Sequence, residues 1–225
     1  KIFHGLVLGT MALASCKTTN PNSDVKFGSG EHVVLGNDAY KVACRGKTYC
    51  PETITRQDGK ESFDYGELVA FSGDFYETPT MLDEDPGKTG FINLLWNQVS
   101  GSGGARNAIQ TEVRAVRDQM ENPTAVYPDN NVQYTYAFNR DYLKLAEANV
   151  DHFGWHNMKY YVKYHGEALS LAAQASGAKS ASDKEKLLRK AILNNAFADH
   201  FLTDGFSSGH IRTPRKQGMD WGLAN

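Results

Sequence analysis

Apolar residues along this chain recur mostly at helical spacing, and no stretch alternates strictly enough to read as a strand. Residues 31–60 carry no strong period. From Tyr65 to Phe75 an apolar run predicts a short helix or buried turn that ends near Gly73. Residues 83–90, with Pro86, Gly87 and Gly90, read as loop, and Phe91 to Val99 as an apolar helix. Gly101 to Gly104 form a flexible link before a charged helix over 105–120. Asn122-Pro123 and Tyr127-Pro128 mark another loop. Helical spacing then runs from Arg140 to Ser176, with a break near Gly154, and from Ser182 to Thr203. Ser182-Asp183-Lys184-Glu185 has the form of a capping box. These elements predict a mainly α fold, a multi-helix bundle without internal repeats.

Composition changes this picture little. The chain has 225 residues, 40% hydrophobic and 22% charged, which suits one globular domain over 31–225. A net charge of -2 provides no global field to recruit nucleic acid. Gly87-Lys88-Thr89 looks like the end of a phosphate-binding loop, but Leu82 stands where that loop needs glycine, which argues against nucleotide binding.

The first residues point to export. Lys1 precedes an apolar run from Ile2 to Ala14, which ends Leu13-Ala14-Ser15-Cys16. A basic start, a short apolar stretch and small residues describe a signal peptide over 1–16. Leu-Ala-Ser-Cys resembles the bacterial lipoprotein box, which implies a lipid anchor at Cys16. Ordinary cleavage after Ala14 is the alternative. Polar, turn-rich residues 17–30 suit a tether. The expected location is a bacterial outer-membrane or cell-surface lipoprotein, or a secreted protein. In an oxidising compartment Cys44 and Cys50 would form a short disulfide loop; a pair of metal thiolates is the other reading.

The informative segment runs from His200 through Asp204 to His210. His200 and Asp204 are four residues apart, on the same helix face as Leu193 and Phe197. A carboxylate on such an inward stripe costs several kcal/mol (about 2–7 for an unpaired polar group) unless something neutralises it. A bound cation does so, and a turn over Gly205 to Gly209 would bring His210 alongside. A His–Asp pair capping a buried helix end is the plainer alternative. Ser207 and Ser208 lack the strand-turn-helix surroundings of a serine nucleophile.

The pattern His-x3-Asp-x5-His at His200, Asp204 and His210 resembles the metal-binding helix of bacterial zinc-dependent phospholipases C and the related single-strand-specific nucleases. That resemblance implies a bundle of the zinc phospholipase C type, holding two or three zinc ions. It implies an upstream zinc-binding histidine at His152 of Asp151-His152-Phe153, with His156 as competitor. It implies a zinc-binding, water-activating carboxylate at Asp74 of Gly73-Asp74-Phe75-Tyr76, which otherwise reads as a turn or capping residue. It also places His32 at a third zinc, against the reading of a surface histidine. The family completes its second zinc with a His and an acidic residue downstream of the position of His210. No His follows His210 here, so those ligands are expected beyond Asn225; a second site built differently is the alternative.

The implied activity is phosphodiester hydrolysis by a phospholipase C acting on phosphatidylcholine-like glycerophospholipids, with phospholipid or a membrane surface as partner. Phe75, Tyr76 and Phe153 would line an apolar mouth. Arg212 and Arg215 would hold phosphate or be solvated charges. An extracellular single-strand nuclease, with nucleic acid as partner, is the alternative; a non-enzymatic, metal-stabilised surface lipoprotein is a second.

Overall fold

A computed structural model of the chain describes residues 28–47, 49–59, 61–84, 104–137 and 141–224. The lipoprotein-like box, most of the expected tether and the helix expected over Phe91 to Val99 lie outside these residues. The fold is mainly α, as expected. In chain order the helices are α1 (Ser29–Cys44), α2 (Tyr65–Phe71), α3 (Pro79–Glu84), α4 (Gly104–Glu121), α5 (Asn131–Ala137), α6 (Asp141–Ala148), α7 (Trp155–Gly177), α8 (Ala181–Asp204), α9 (Ser208–Arg212) and α10 (Arg215–Ala224). One small antiparallel pair interrupts them: β1 (Ile54–Thr55) and β2 (Ser62–Phe63), with Ile54 opposite Phe63. No helix among the described residues is long and apolar enough to cross a membrane.

The centre of the fold is the antiparallel pair α7–α8. Helix α8 buries Leu193, Ala196, Phe197, His200, Phe201 and Asp204, one face at three- and four-residue spacing. Tyr164 of α7 meets that face, its ring 5.5 Å from Phe197 and 5.9 Å from Phe201. The helix starts two residues earlier than the predicted capping box. Its cap is Ser180, whose hydroxyl accepts the Asp183 amide at 3.0 Å. Either serine fits the cap preference; with Ser180 as cap, Asp183 stands at the third helical position, so its otherwise unpaired amide reaches the serine hydroxyl.

Helix α1 was not legible as a helix. It also takes up Ser29 and Gly30, the last residues of the expected tether. Both are buried, because the Gly30 amide donates to the Glu112 carboxylate of α4 at 2.9 Å. A side chain at Gly30 would come within 2.5 Å of Glu112, so only glycine permits this approach. The α1–α2 crossing is equally close: a Cβ at Gly66 would lie 2.2 Å from the Val33 carbonyl oxygen. Glycine contacts of this kind bury a helix without an apolar stripe, which is why the period of α1 is weak.

Helix α2 is fixed by a reciprocal cap. The Glu67 amide donates to Asp64 at 2.7 Å and the Asp64 amide to Glu67 at 3.2 Å. Every residue of α2 is buried. Phe75 and Tyr76, expected at an apolar mouth, are instead fully buried core residues. The tight turn that follows α2, closed by Gly73 N–H to Tyr76 O at 2.9 Å, turns both rings inward. Cys44 and Cys50 form the expected disulfide, tying the end of α1 to the next loop.

Candidate metal centre

Five elements deliver imidazoles or carboxylates to one point. His32 comes from the second turn of α1, and Asp74 from the turn after α2. His152 ends a short 3-10 turn before α7, and His200 and Asp204 sit on the inward face of α8. His210 lies on α9, which Gly154 N–H ties to the His152 loop by donating to the His210 carbonyl at 2.9 Å. The short α8–α9 connection thus brings His210 back as its spacing predicts. His156 is exposed on α7, so His152 is the histidine that reaches the cluster.

Asp204 is the hub, 1% exposed at its side chain. Its Oδ2 lies 2.7 Å from His152 Nδ1 and 3.6 Å from His200 Nε2. Its Oδ1 lies 3.6 Å from His32 Nε2 and 3.8 Å from His210 Nε2. Each oxygen therefore faces two imidazoles. His152 Nδ1 and His200 Nε2 are themselves 3.1 Å apart. Donors around a tetrahedral zinc, each at about 2.0–2.1 Å, are about 3.3 Å apart, so these separations bracket the required spacing. Donor atoms of His32, Asp74 and His200 lie within 4.8 Å of one another, as do those of His152, His200 and Asp204. These clusters could hold a metal. His32, expected at a separate third ion, thus shares this centre.

Neighbours orient the rings. His200 Nδ1 donates to the Val69 carbonyl at 3.0 Å, which leaves Nε2 free of its proton and aimed at Asp204. His32 Nδ1 is 2.7 Å from the Thr203 hydroxyl, and its ring stacks on His200 at 4.2 Å. Among the described residues, His210 Nδ1 is buried without a hydrogen-bond partner. Gly73 is needed twice: its φ is +73°, and a Cβ there would lie 2.8 Å from His200 Nε2 and 2.9 Å from His152 Cε1. The sequence pattern marked Gly73 only as a turn, because its contact with two rings depends on tertiary approach.

Burial sets the protonation states. It pushes His32 down to about 4, with Asp204 opposing and His210 and His152 reinforcing. It also holds His200 well below the usual imidazole range, and His210 below it. Burial works against Asp204 as an anion, but the charges of His200 and His152 and the His152 hydrogen bond outweigh it and hold the carboxyl below its usual range. Burial would likewise lower His152, yet Asp204, Asp74 and Asp151 raise it to about 9. Asp74, with 23% of its side chain exposed, stands at the rim; its dense surroundings push it up to about 7 against the pull of His152. These shifts pair Asp204 as an anion with a protonated His152 and leave the surrounding imidazoles neutral. Neutral imidazole and carboxylate are the donor types that suit zinc and its first-row neighbours.

Arg215 is committed elsewhere. It donates to Asn149 Oδ1 at 3.2 Å and to the Ala146 carbonyl at 2.7 Å, fastening α10 to the end of α6. It is therefore not a free phosphate-binding group, whereas Arg212 is exposed. Phe153 packs its ring 4.5 Å from His210. No family model matches the chain, and no curated protein or solved structure is significantly similar to it.

Proposed function

We propose that this chain is a zinc-dependent phosphodiester hydrolase, a phospholipase C that releases diacylglycerol and a phosphorylated head group from phosphatidylcholine-like lipids. The observation that supports the reading is the position of Asp204, with a pair of imidazoles at each carboxylate oxygen and Asp74 at the exposed rim. His152, His200, Asp204 and Asp74 would hold one ion, with His32 and His210 at the opposite oxygen of Asp204. Bound zinc lowers the pKa of water to about 7 and offsets charge on phosphoryl oxygens.

The chain's own groups supply the rest. Asp74, with 23% of its side chain exposed, faces outward enough to accept a proton from water entering the rim. The oxygen of that water bonds to phosphorus, the bond to the diacylglycerol oxygen breaks, and that oxygen takes up a proton. Val69 and Thr203 keep His200 and His32 in the required orientation throughout.

The test combines zinc analysis with turnover of a chromogenic phosphocholine ester. Wild-type protein should carry zinc and hydrolyse the ester; His200→Ala should lose both. Full activity in that variant would sink the assignment. Comparing lecithin vesicles with single-stranded DNA separates the lipase from a nuclease, and zinc binding without hydrolysis of either identifies a metal-stabilised surface lipoprotein.

A further inference from the structure

A concavity lies between α1, α7 and α8. It encloses about 370 Å³. Small side chains leave this space: Ala39 and Ala43 on α1, Ala168 and Ala172 on α7, and Ala191 on α8. Its aromatic wall is Tyr40 and Tyr65, stacked with centroids 4.7 Å apart. Its lining is predominantly apolar, and Asp199 is the carboxylate within it.

Asp199 ends a directed network. His165 Nδ1 donates to Asn195 Oδ1 at 2.8 Å, since that oxygen only accepts. Asn195 Nδ2 donates to the Tyr65 hydroxyl at 2.7 Å and to Asp199 Oδ2 at 3.2 Å. The Tyr65 hydroxyl donates to the same Oδ2 at 2.7 Å. Oδ1 accepts no hydrogen bond among the described residues, and no cation there pairs with Asp199. An anion kept in an apolar groove by one fully used oxygen is complementary to a cation at the other.

We propose that this groove binds a small primary amine with an apolar body, its ammonium donating to Asp199 Oδ1 and its body lying on the alanine floor against Tyr40 and Tyr65. A charged hydrogen bond distinguishes such a ligand from a merely greasy one. The site does not depend on the metal reading, because Asp199 is not among the six residues of that centre.

Titration calorimetry on the full chain tests this with 2-phenylethylamine and its neutral isostere 2-phenylethanol. The amine should bind saturably at one site, and the alcohol about tenfold more weakly or worse. Asp199→Asn should reduce the amine to the level of the alcohol. Ala172→Leu, which fills the groove and leaves the Asp199 network intact, should abolish binding of both; it decides the matter if Asp199→Asn does not fold. Equal binding of amine and alcohol, no saturable amine binding, or amine binding unchanged in Ala172→Leu would overturn the proposal.

Discussion

At the scale of single residues, the centre depends on exact approach as much as on its ligands. Gly73 shows this best, since both its positive φ and its contact with two imidazoles exclude a side chain. Gly73→Ala should lower thermal stability by about 1–3 kcal/mol, from left-handed strain and crowding together. It should also weaken zinc binding in a competition titration, because His200 and His152 must move. Unchanged zinc affinity would show that the turn does not position the rings. Residues whose role follows from local geometry were legible: His200, Asp204 and His210 share a helix face and a short return. The partnership of His32 was not, since α1 and α8 meet only in the folded chain, and neither was the second use of Gly73. Phe75 and Tyr76 were misplaced for a related reason, as an apolar pair beside a candidate ligand fits a mouth and a core equally well.

At the scale of elements, α8 carries two of the six residues of the centre and α1 a third, and short devices hold both helices. Ser180 caps α8, so Ser180→Ala should cost about 1 kcal/mol in denaturant unfolding, whereas Ser182→Ala should be nearly silent. The Cys44–Cys50 bridge fastens the end of α1, the helix that bears His32. Its removal by Cys44→Ser with Cys50→Ser should destabilise by about 2 kcal/mol in the chain-entropy account. Helix α8 was legible because Leu193 and Phe197 lie at four-residue spacing on the face that bears Phe201. Helix α1 was not, because Gly30, Gly36 and Gly66 allow it to be buried by close backbone contact, a signal that carries no hydrophobic period.

At the scale of the whole molecule, the centre links stability, pH and metal. In the metal-free protein His152 is raised from 6.5 to about 9. A raised histidine contributes stability that is complete below its unfolded value and disappears as pH rises through the folded one. The contribution is on the order of 3 kcal/mol. Asp74 and Glu31, each raised to about 7, act in the same direction at lower pH, since their ionisation is unfavourable in the fold. Between about pH 7 and 9 the metal-free protein should therefore lose stability, read as a falling melting temperature. If zinc occupies the centre as proposed, it should reverse that sign, because binding would expel the His152 proton and strengthen as pH rises. A melting temperature that fell equally with and without zinc would separate the metal from this centre.

The most direct measurement is an anomalous difference map at the zinc edge, from crystals of the protein grown with zinc. The account predicts density beside Asp204, within bonding distance of His152 and His200, and the His152–Asp204 hydrogen bond replaced. A zinc-replete crystal with no such density, and with that hydrogen bond intact, would contradict it.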